Sequence, residues 1–487
     1  MHGKDVEVIS RVLIISTNRE LSPQPVAPIG AAWVAEAVHQ AGFEVALLDL
    51  SFEKDPIGRL KRVLKTFNPD GIGISVRNVD NGDFLSPVSF LPGLKDITDF
   101  IKENTKARIL LGGSGVSVMP YQILEYLGLD FAVVGEGEAA AVLFFKAANA
   151  LDACRAPGIV CRGGAGAGAG YERADWLANV DLVMPRMQRW VDIPRYLRYE
   201  PVLPVQGKRG CANRCLYCTY NRIEGRTYRL REPEAVVEEV SALMMNTGAR
   251  TFEFVDSIFN QPEGYMERLL EEIIRWRLKA RFHVASMSPK GLTKSQVRLM
   301  ERAGITAVGI TPESASDATL DSLRKGFNAD DVYRAADLLS ASGIRALWCF
   351  LLGGPRENER TLKETIEFIN KKIGKKDNAF ITTGIRVYPH TGMHELAMHE
   401  GVISPSENLL MPRFYFSPEI TPGRTREVLL GGLDSISRTL FLSDTHFSNM
   451  GGLRLIGSAL RLPSPFWRYA GAMNMMISRR RVIHRDW

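Results

Sequence analysis

The chain is poor in the residues that would mark it as secreted, membrane-spanning or zinc-finger-like. Six cysteines in 487 residues are too few for a disulfide framework and fit a reducing compartment. No uninterrupted apolar run approaches the roughly 20 residues of a membrane span. The start, Met1-His2-Gly3-Lys4-Asp5, lacks the apolar core of a signal peptide. A soluble, cytoplasmic protein is therefore expected. The body also lacks an excess of either charge. Arg454, Arg461, Arg468, Arg479, Arg480, Arg481 and Arg485, set against Asp486, account for the whole formal charge of +6. A neutral body of this kind argues against nucleic acid as a partner.

What is present is ordinary globular material, 45% hydrophobic and 24% charged, in a length that suggests two to four domains. Over residues 1–150, apolar runs at Val12 to Thr17, Val45 to Leu50, Gly71 to Val76, Arg108 to Gly113 and Phe131 to Gly135 alternate with stretches of helical periodicity. The latter are Gly30 to Gln40, Pro56 to Thr66, Leu94 to Lys102 and Tyr121 to Leu127. Continuously apolar strands joined by helices predict a doubly wound parallel sheet, which binds ligands at the carboxyl ends of its strands. Gly-rich turns fall at those ends, at Gly112-Gly113-Ser114-Gly115 and Gly135-Glu136-Gly137-Glu138. Glycine lets backbone come close to a phosphate or a flat ring, so these turns suggest a large cofactor; as simple helix-initiating turns they would mean nothing more. No Gly-x-Gly-x-x-Gly dinucleotide fingerprint joins a strand to its helix.

Periodicity weakens over residues 151–200, where Gly163 to Gly170 alternates glycine with alanine and reads as a linker or mobile hairpin tip. From residue 201 to about 400, six further strand candidates recur with helices between them. They are Val202 to Gln206, Thr251 to Val255, Arg281 to Ala285, Ala307 to Thr311, Arg345 to Leu352 and Ala379 to Tyr388. That span is short of a closed eight-fold barrel, and polar residues gather at the carboxyl ends of the strands, where such barrels carry chemistry.

The densest chemistry lies just after the first of these strands, in Gly207-Lys208-Arg209-Gly210-Cys211-Ala212-Asn213-Arg214-Cys215-Leu216-Tyr217-Cys218. Three thiols in one basic loop can hold three irons of a [4Fe-4S] cluster and leave the fourth open. Lys208, Arg209 and Arg214 are expected to favour thiolates. A structural zinc site of three cysteines and a histidine is the plainer alternative, although the loop contains no histidine. Cys154, Cys161 and Cys349 are read as small buried hydrophobes. His394 and His399 stand five residues apart, one more than a helical zinc motif needs.

The three-cysteine spacing resembles the radical S-adenosylmethionine (SAM) superfamily. The preceding domain resembles the cobalamin-binding domain of the B12-dependent radical SAM proteins in Pro25 to Gly30, Ser75 to Asn81 and Val133 to Glu138. The resemblance implies an N-terminal B12-binding-like doubly wound sheet, a partial (β/α)6 barrel and a small helical C-terminal region over residues 401–487. It implies a [4Fe-4S] cluster on Cys211, Cys215 and Cys218, SAM on its open iron, and a 5′-deoxyadenosyl radical. SAM contacts are implied for Asp256, Ser257, Glu313, Ser314, Gly353, Gly354 and Tyr388. The corrin is implied to sit at Asn78, Gly112, Gly113, Ser114, Gly135 and Glu136. Tyr217, Tyr220 and His390 become candidates for catalysis. The Asp-x-His-x-x-Gly triad that ligates cobalt in many corrinoid proteins is missing, so no histidine is expected beneath the metal.

Methylation of an unactivated carbon of a small molecule or lipid is the reaction the resemblance favours, with reduction by a flavodoxin- or ferredoxin-type donor. The alternative is a radical lyase or dehydratase acting on a diol or sugar, its B12-like domain vacant. The segment from Pro463 to Arg481, with Trp467, Met473, Met475, Met476 and Arg479 to Arg481, reads as a packed cap, a weak membrane-surface contact or a carrier-protein contact.

Overall fold

A computed structural model describes residues 9–21, 24–163, 179–434, 439–441, 457 and 462–469. The glycine–alanine run from Gly164 onward and the Met- and Arg-rich segment after Tyr469 lie outside the described residues.

The first sheet contains β1 (Arg11–Ser16), β2 (Glu44–Asp49), β3 (Gly71–Ser75), β4 (Arg108–Gly112), β5 (Phe131–Val133) and β6 (Ile159–Cys161). They lie in the order β2-β1-β3-β4-β5-β6, the first five parallel and β6 antiparallel to β5. The parallel strands are apolar because helices cover both faces; Leu13, Ile15, Ile72 and Leu111 are fully or almost fully buried. Local sequence fixes the helix starts. Helix Pro56–Phe67, for example, opens with proline in its first turn behind Asp55, whose carboxylate accepts from the Gly58 amide at 2.9 Å.

The second sheet contains β7 (Leu203–Val205), β10 (Thr251–Phe254), β11 (Arg281–Met287), β12 (Ile305–Glu313), β13 (Arg345–Leu352), β14 (Asn378–Thr383) and β17 (Thr439–Phe441). All are parallel, in the order β17-β14-β13-β12-β11-β10-β7. Two short antiparallel pairs flank it, β8 (Lys208–Arg209) with β9 (Arg229–Leu230) and β15 (Ile385–Arg386) with β16 (Phe414–Tyr415). The six barrel strands read from sequence are there in register, and β17 adds a seventh beyond β14. The last expected strand, Ala379 to Tyr388, is interrupted at Gly384, against which the Phe84 ring packs.

Two expectations about cysteines need correction. Cys154 and Cys161 are not buried hydrophobes but a disulfide, with Cα atoms 6.1 Å apart. Antiparallel pairing of β6 with β5 brings Cys161 back beside the short helix Ala150–Cys154. Cys349 is a free, half-buried thiol on β13.

The two halves share their packing. One core joins Leu13, Ile15, Ile72 and Leu111 to Leu216, Leu323, Ile385, Val387 and Tyr415. A second joins Ala27, Ala32 and Tyr196 to barrel strands. Across the same boundary Arg386 donates to the buried Asp80 carboxylate at 2.9 Å. Among the described residues no helix is long and apolar enough to cross a membrane.

Removing one partner of a buried ion pair leaves an uncompensated charge, at a cost of about 3–5 kcal/mol. Arg386→Leu is expected to destabilise the chain by that amount, read as a lowered urea midpoint, whereas the double change with Asp80→Leu should recover much of the loss.

Candidate active site

The site is built where the carboxyl ends of the two sheets face each other. On the first sheet, the β4 turn lies against the end of β3. Gly113 has φ of +102°, and a Cβ there would stand 2.4 Å from the Val76 carbonyl oxygen. Only glycine permits this approach, and the result is a cradle floor of bare backbone. Ser114 Oγ donates to the Arg77 carbonyl at 2.7 Å, and Ser117 Oγ accepts from the Gly135 amide at 2.9 Å, tying the Gly-rich turns together. A cavity of about 690 Å³ opens above them. Its lining includes Pro25 to Ala31, Ser75 to Val79, Gly112 to Gly115 and Gly135 to Glu138. From the second half come Gln206, Arg209, Tyr220, Glu224, Glu253, Val255, Ala285 and Tyr388, and no histidine contributes.

The expected corrin contacts Asn78, Gly112, Gly113, Ser114, Gly135 and Glu136 thus share one wall. A broad floor without side chains, closed over by a second domain, suits a flat macrocycle, and the residues present fit one.

On the second half, the cysteine loop hangs from the β8–β9 hairpin. Gly210 has φ of +90°, and a Cβ there would come within 2.1 Å of the Thr227 carbonyl oxygen, so the loop turns hard against β9's approach. The Cys211 amide donates to the Gly225 carbonyl at 3.0 Å and the Leu216 amide to the Leu323 carbonyl at 3.0 Å. Cys211, Cys215 and Cys218 all line a second cavity of about 150 Å³, with Asn213, Tyr217, Tyr220, Ser257, Ser286, Thr311, Glu313 and Lys325. Among the described residues no three His, Cys, Asp or Glu side chains converge tightly enough to hold one ion. The three thiols surround a space rather than a point. Zinc needs all its ligands about 2.3 Å or less from one centre; a [4Fe-4S] cluster takes each thiolate on a different iron, and the donor set fits it.

The electrostatics of the loop differ from expectation. Lys208 and Arg209 do not face the sulfurs. Lys208 donates from Nζ to Asp256 at 2.9 Å and is fully buried. Arg209 pairs with Glu138 at 2.5 Å and Glu136 at 3.3 Å over the Trp33 ring. The cation acting on the thiols is Lys325, which pulls the Cys215 and Cys218 thiols down while burial pushes them up, Cys218 to about 12. Lys325 Nζ also donates to Tyr217 Oη at 3.1 Å and to Glu313 Oε1 at 3.2 Å, and Tyr217 donates to the same oxygen at 2.7 Å. Glu313, with φ of 68°, keeps Oε2 without a hydrogen-bond partner among the described residues.

Several expected SAM contacts lie elsewhere. Ser257 lines the smaller cavity and donates to the Gly210 carbonyl at 2.7 Å. Asp256 lines neither cavity, because neighbouring residues on an extended chain point to opposite sides; it accepts from Lys208 and from the Gly207 amide at 2.7 Å. Ser314 is fully buried against Thr365 at 3.0 Å. Gly353 and Gly354 pack on Phe416 and Leu323. Tyr388 lines the larger cavity rather than the smaller, with the Arg386 guanidinium 4.7 Å from its ring. His390 is exposed and outside both linings, as is the buried His283, whose pKa burial and then Arg281 and Arg468 depress to about 3.

Tyr220 is the residue common to the linings of both cavities. Its hydroxyl donates to Glu224 at 3.3 Å, and burial followed by Glu224 and Asp256 raises its pKa well above the ordinary value.

The radical SAM superfamily model matches residues 205–369 and the B12 binding domain model residues 17–144. The chain thus carries a B12-binding domain and a radical SAM domain together. Among curated relatives it is 24% identical over 444 residues to tryptophan 2-C-methyltransferase of Streptomyces laurentii, covering 78% of this chain and 73% of that one. Among solved structures it is similar to the radical SAM methyltransferase TsrM of Kitasatospora setae, described with cobalamin and a [4Fe-4S] cluster bound. The TM-score is 0.82 at 22% identity, over 97% of this chain and 99% of that one. It is also similar to the cobalamin-dependent radical enzyme OxsB, with a TM-score of 0.71 at 17% identity, over 97% and 71% of the two chains. At these identities the structural likenesses establish the fold.

Sequence reasoning passed over Lys325 and Glu253 as site residues and aimed Arg209 at the thiols rather than at Glu136 and Glu138. Only Glu253 announced itself, as a lone charge in the apolar run Thr251-Phe252-Glu253-Phe254-Val255.

Loss of a group that supports metal ligands commonly lowers metal affinity about 10-fold to 100-fold. Lys325→Met is expected to weaken iron incorporation on that scale, measured by iron and sulfide content after anaerobic reconstitution. The deficit should shrink as pH rises, because higher pH favours the thiolate.

Proposed function

We propose that this chain is an enzyme that uses SAM, a [4Fe-4S] cluster and cobalamin to methylate an unactivated carbon of a small molecule or lipid. The observation that carries this reading is the abutment of the two cavities. One is ringed by three thiols, the other is floored by bare backbone turns, and Tyr220 stands where they meet. When bound, the cluster supplies an electron that cleaves SAM and cobalamin supplies a transferable methyl group.

The chain's own residues would provide placement. Cys211, Cys215 and Cys218 take three irons and leave one for the amino and carboxylate groups of SAM. Ser257 and Ser286 offer hydroxyls on the same wall, and Glu313 offers its unpartnered oxygen, held in place by Tyr217 and Lys325. Asn78, Gly112 to Ser114, Gly135 and Glu136 carry the corrin. Enclosure between two domains keeps bulk water from the reacting carbon and holds the reacting groups in a fixed approach. The named activity of the Streptomyces laurentii relative, methyl transfer to a tryptophan carbon, supports this choice of reaction over elimination. An electron donor of flavodoxin or ferredoxin type completes the system.

Anaerobically reconstituted protein given SAM and a low-potential reductant should form 5′-deoxyadenosine, and Cys215→Ala should reduce this to the apo-protein background. In cells expressing the protein, deuterated methionine should place a labelled methyl group on one metabolite. A metabolite that loses water and gains no label would replace methylation with elimination; full activity in the Cys215→Ala variant would overturn the assignment of the thiols.

A further inference from the structure

Strand β10 places an acidic side chain, Glu253, in the wall of the larger cavity. Along β10, Phe252 and Phe254 turn outward into the hydrophobic core. Glu253 and Val255 turn the other way, into the cavity. Pro204 on β7 and His283 on β11 lie beside Glu253 in the sheet. Val202, Pro204, Val255 and Ala285 give this stretch of wall an apolar surface, with Glu200 and Tyr196 on the approach to β7 and Gln206 at its end the polar exceptions.

Glu253 has no hydrogen-bond or ion-pair partner among the described residues. Burial alone pushes its pKa up, to about 7. Its acidic neighbours in the lining, Glu200 on the approach to β7 among them, each have an interaction partner. Glu136 and Glu138 are neutralised by Arg209 and Arg229, and Glu224 accepts from Gly210, Gln206 and Tyr220. A buried carboxyl without a partner is unfavourable in its charged form and gains most from a cationic donor.

The position of Glu253 bears on what that donor is. Glu253 and Val255 line the larger cavity, and Ser257, in the bend that follows β10, lines the smaller. Glu253 lies about 7 Å along the strand from Val255. A molecule held by one end at Glu253 would extend along this wall toward the meeting point of the cavities, where the chemistry proposed above takes place.

We propose that Glu253 anchors the substrate through a cationic nitrogen, so that the substrate class is an amine or other small cation rather than a neutral lipid. This rests on the reading of the two cavities as cofactor sites. Glu253 is a specificity-determining residue: it fixes which molecules enter and which end faces inward, and the reacting carbon lies at the other end.

The test uses the full chain, loaded anaerobically with iron, sulfide and hydroxocobalamin. Binding of 2-phenylethylammonium and of its neutral counterpart 2-phenylethanol is followed by titration calorimetry. The wild type should prefer the ammonium at least tenfold, and Glu253→Gln, which keeps the shape of the side chain, should remove the preference while leaving the alcohol unaffected. Glu253→Asp should retain part of it. Absence of a preference in the wild type, absence of binding by either compound, or a preference that survives Glu253→Gln would overturn the proposal. Absorbance spectra of the same samples separate the two levels of inference. Protein that carries cluster and corrin but shows no ammonium preference defeats this proposal alone; protein that takes up neither cofactor defeats the functional reading beneath it.

Discussion

Arg209 is a buried charge whose ion-pair partners lie in the other half of the molecule. It lies on β8, immediately before the cysteine loop, and reaches across to Glu136 and Glu138 in the last Gly-rich turn of the first sheet. Arg229, its partner in the hairpin, reaches the same Glu136. Burial disfavours all four charges unless they remain together. The hairpin that carries the thiols is therefore fixed to the turn that floors the larger cavity. The shared core and the Arg386–Asp80 pair close the opposite side of the boundary. The two cavities adjoin because of this arrangement.

Much of the fold could be read from the sequence because parallel strands covered on both faces are continuous apolar runs. Runs such as Gly71 to Val76 and Arg345 to Leu352 match observed strands to within a residue. β6 and β17 escaped because each is three residues long and pairs at the end of a sheet, where few apolar side chains are required. The disulfide between Cys154 and Cys161 depends on the reversal of chain direction into β6, a tertiary event with no local signal.

The site was legible in part, for a different physical reason. Turns of bare backbone and clustered thiols carry their chemistry wherever the loop points, so Gly112 to Ser114 and the three cysteines could be placed from type and spacing. Asp256, Ser314, Gly353 and Gly354 were selected for their nearness to strand ends, and nearness does not determine which side a residue faces. Asp256 lies between Val255, on the larger cavity, and Ser257, on the smaller, and points to neither. Ser314 follows Glu313 and turns into a helix interface instead. Lys208 and Arg209 flank the cysteines in sequence, yet the charge that acts on the sulfurs comes from Lys325, more than 100 residues away.

The most direct test of facing cofactor sites is magnetic. In reduced protein carrying both a [4Fe-4S] cluster and Co(II) cobalamin, electron paramagnetic resonance should show the two centres broadening and relaxing each other within a single chain. The interaction should vanish when either centre is omitted. Two independent, unperturbed signals from fully loaded protein would contradict the account.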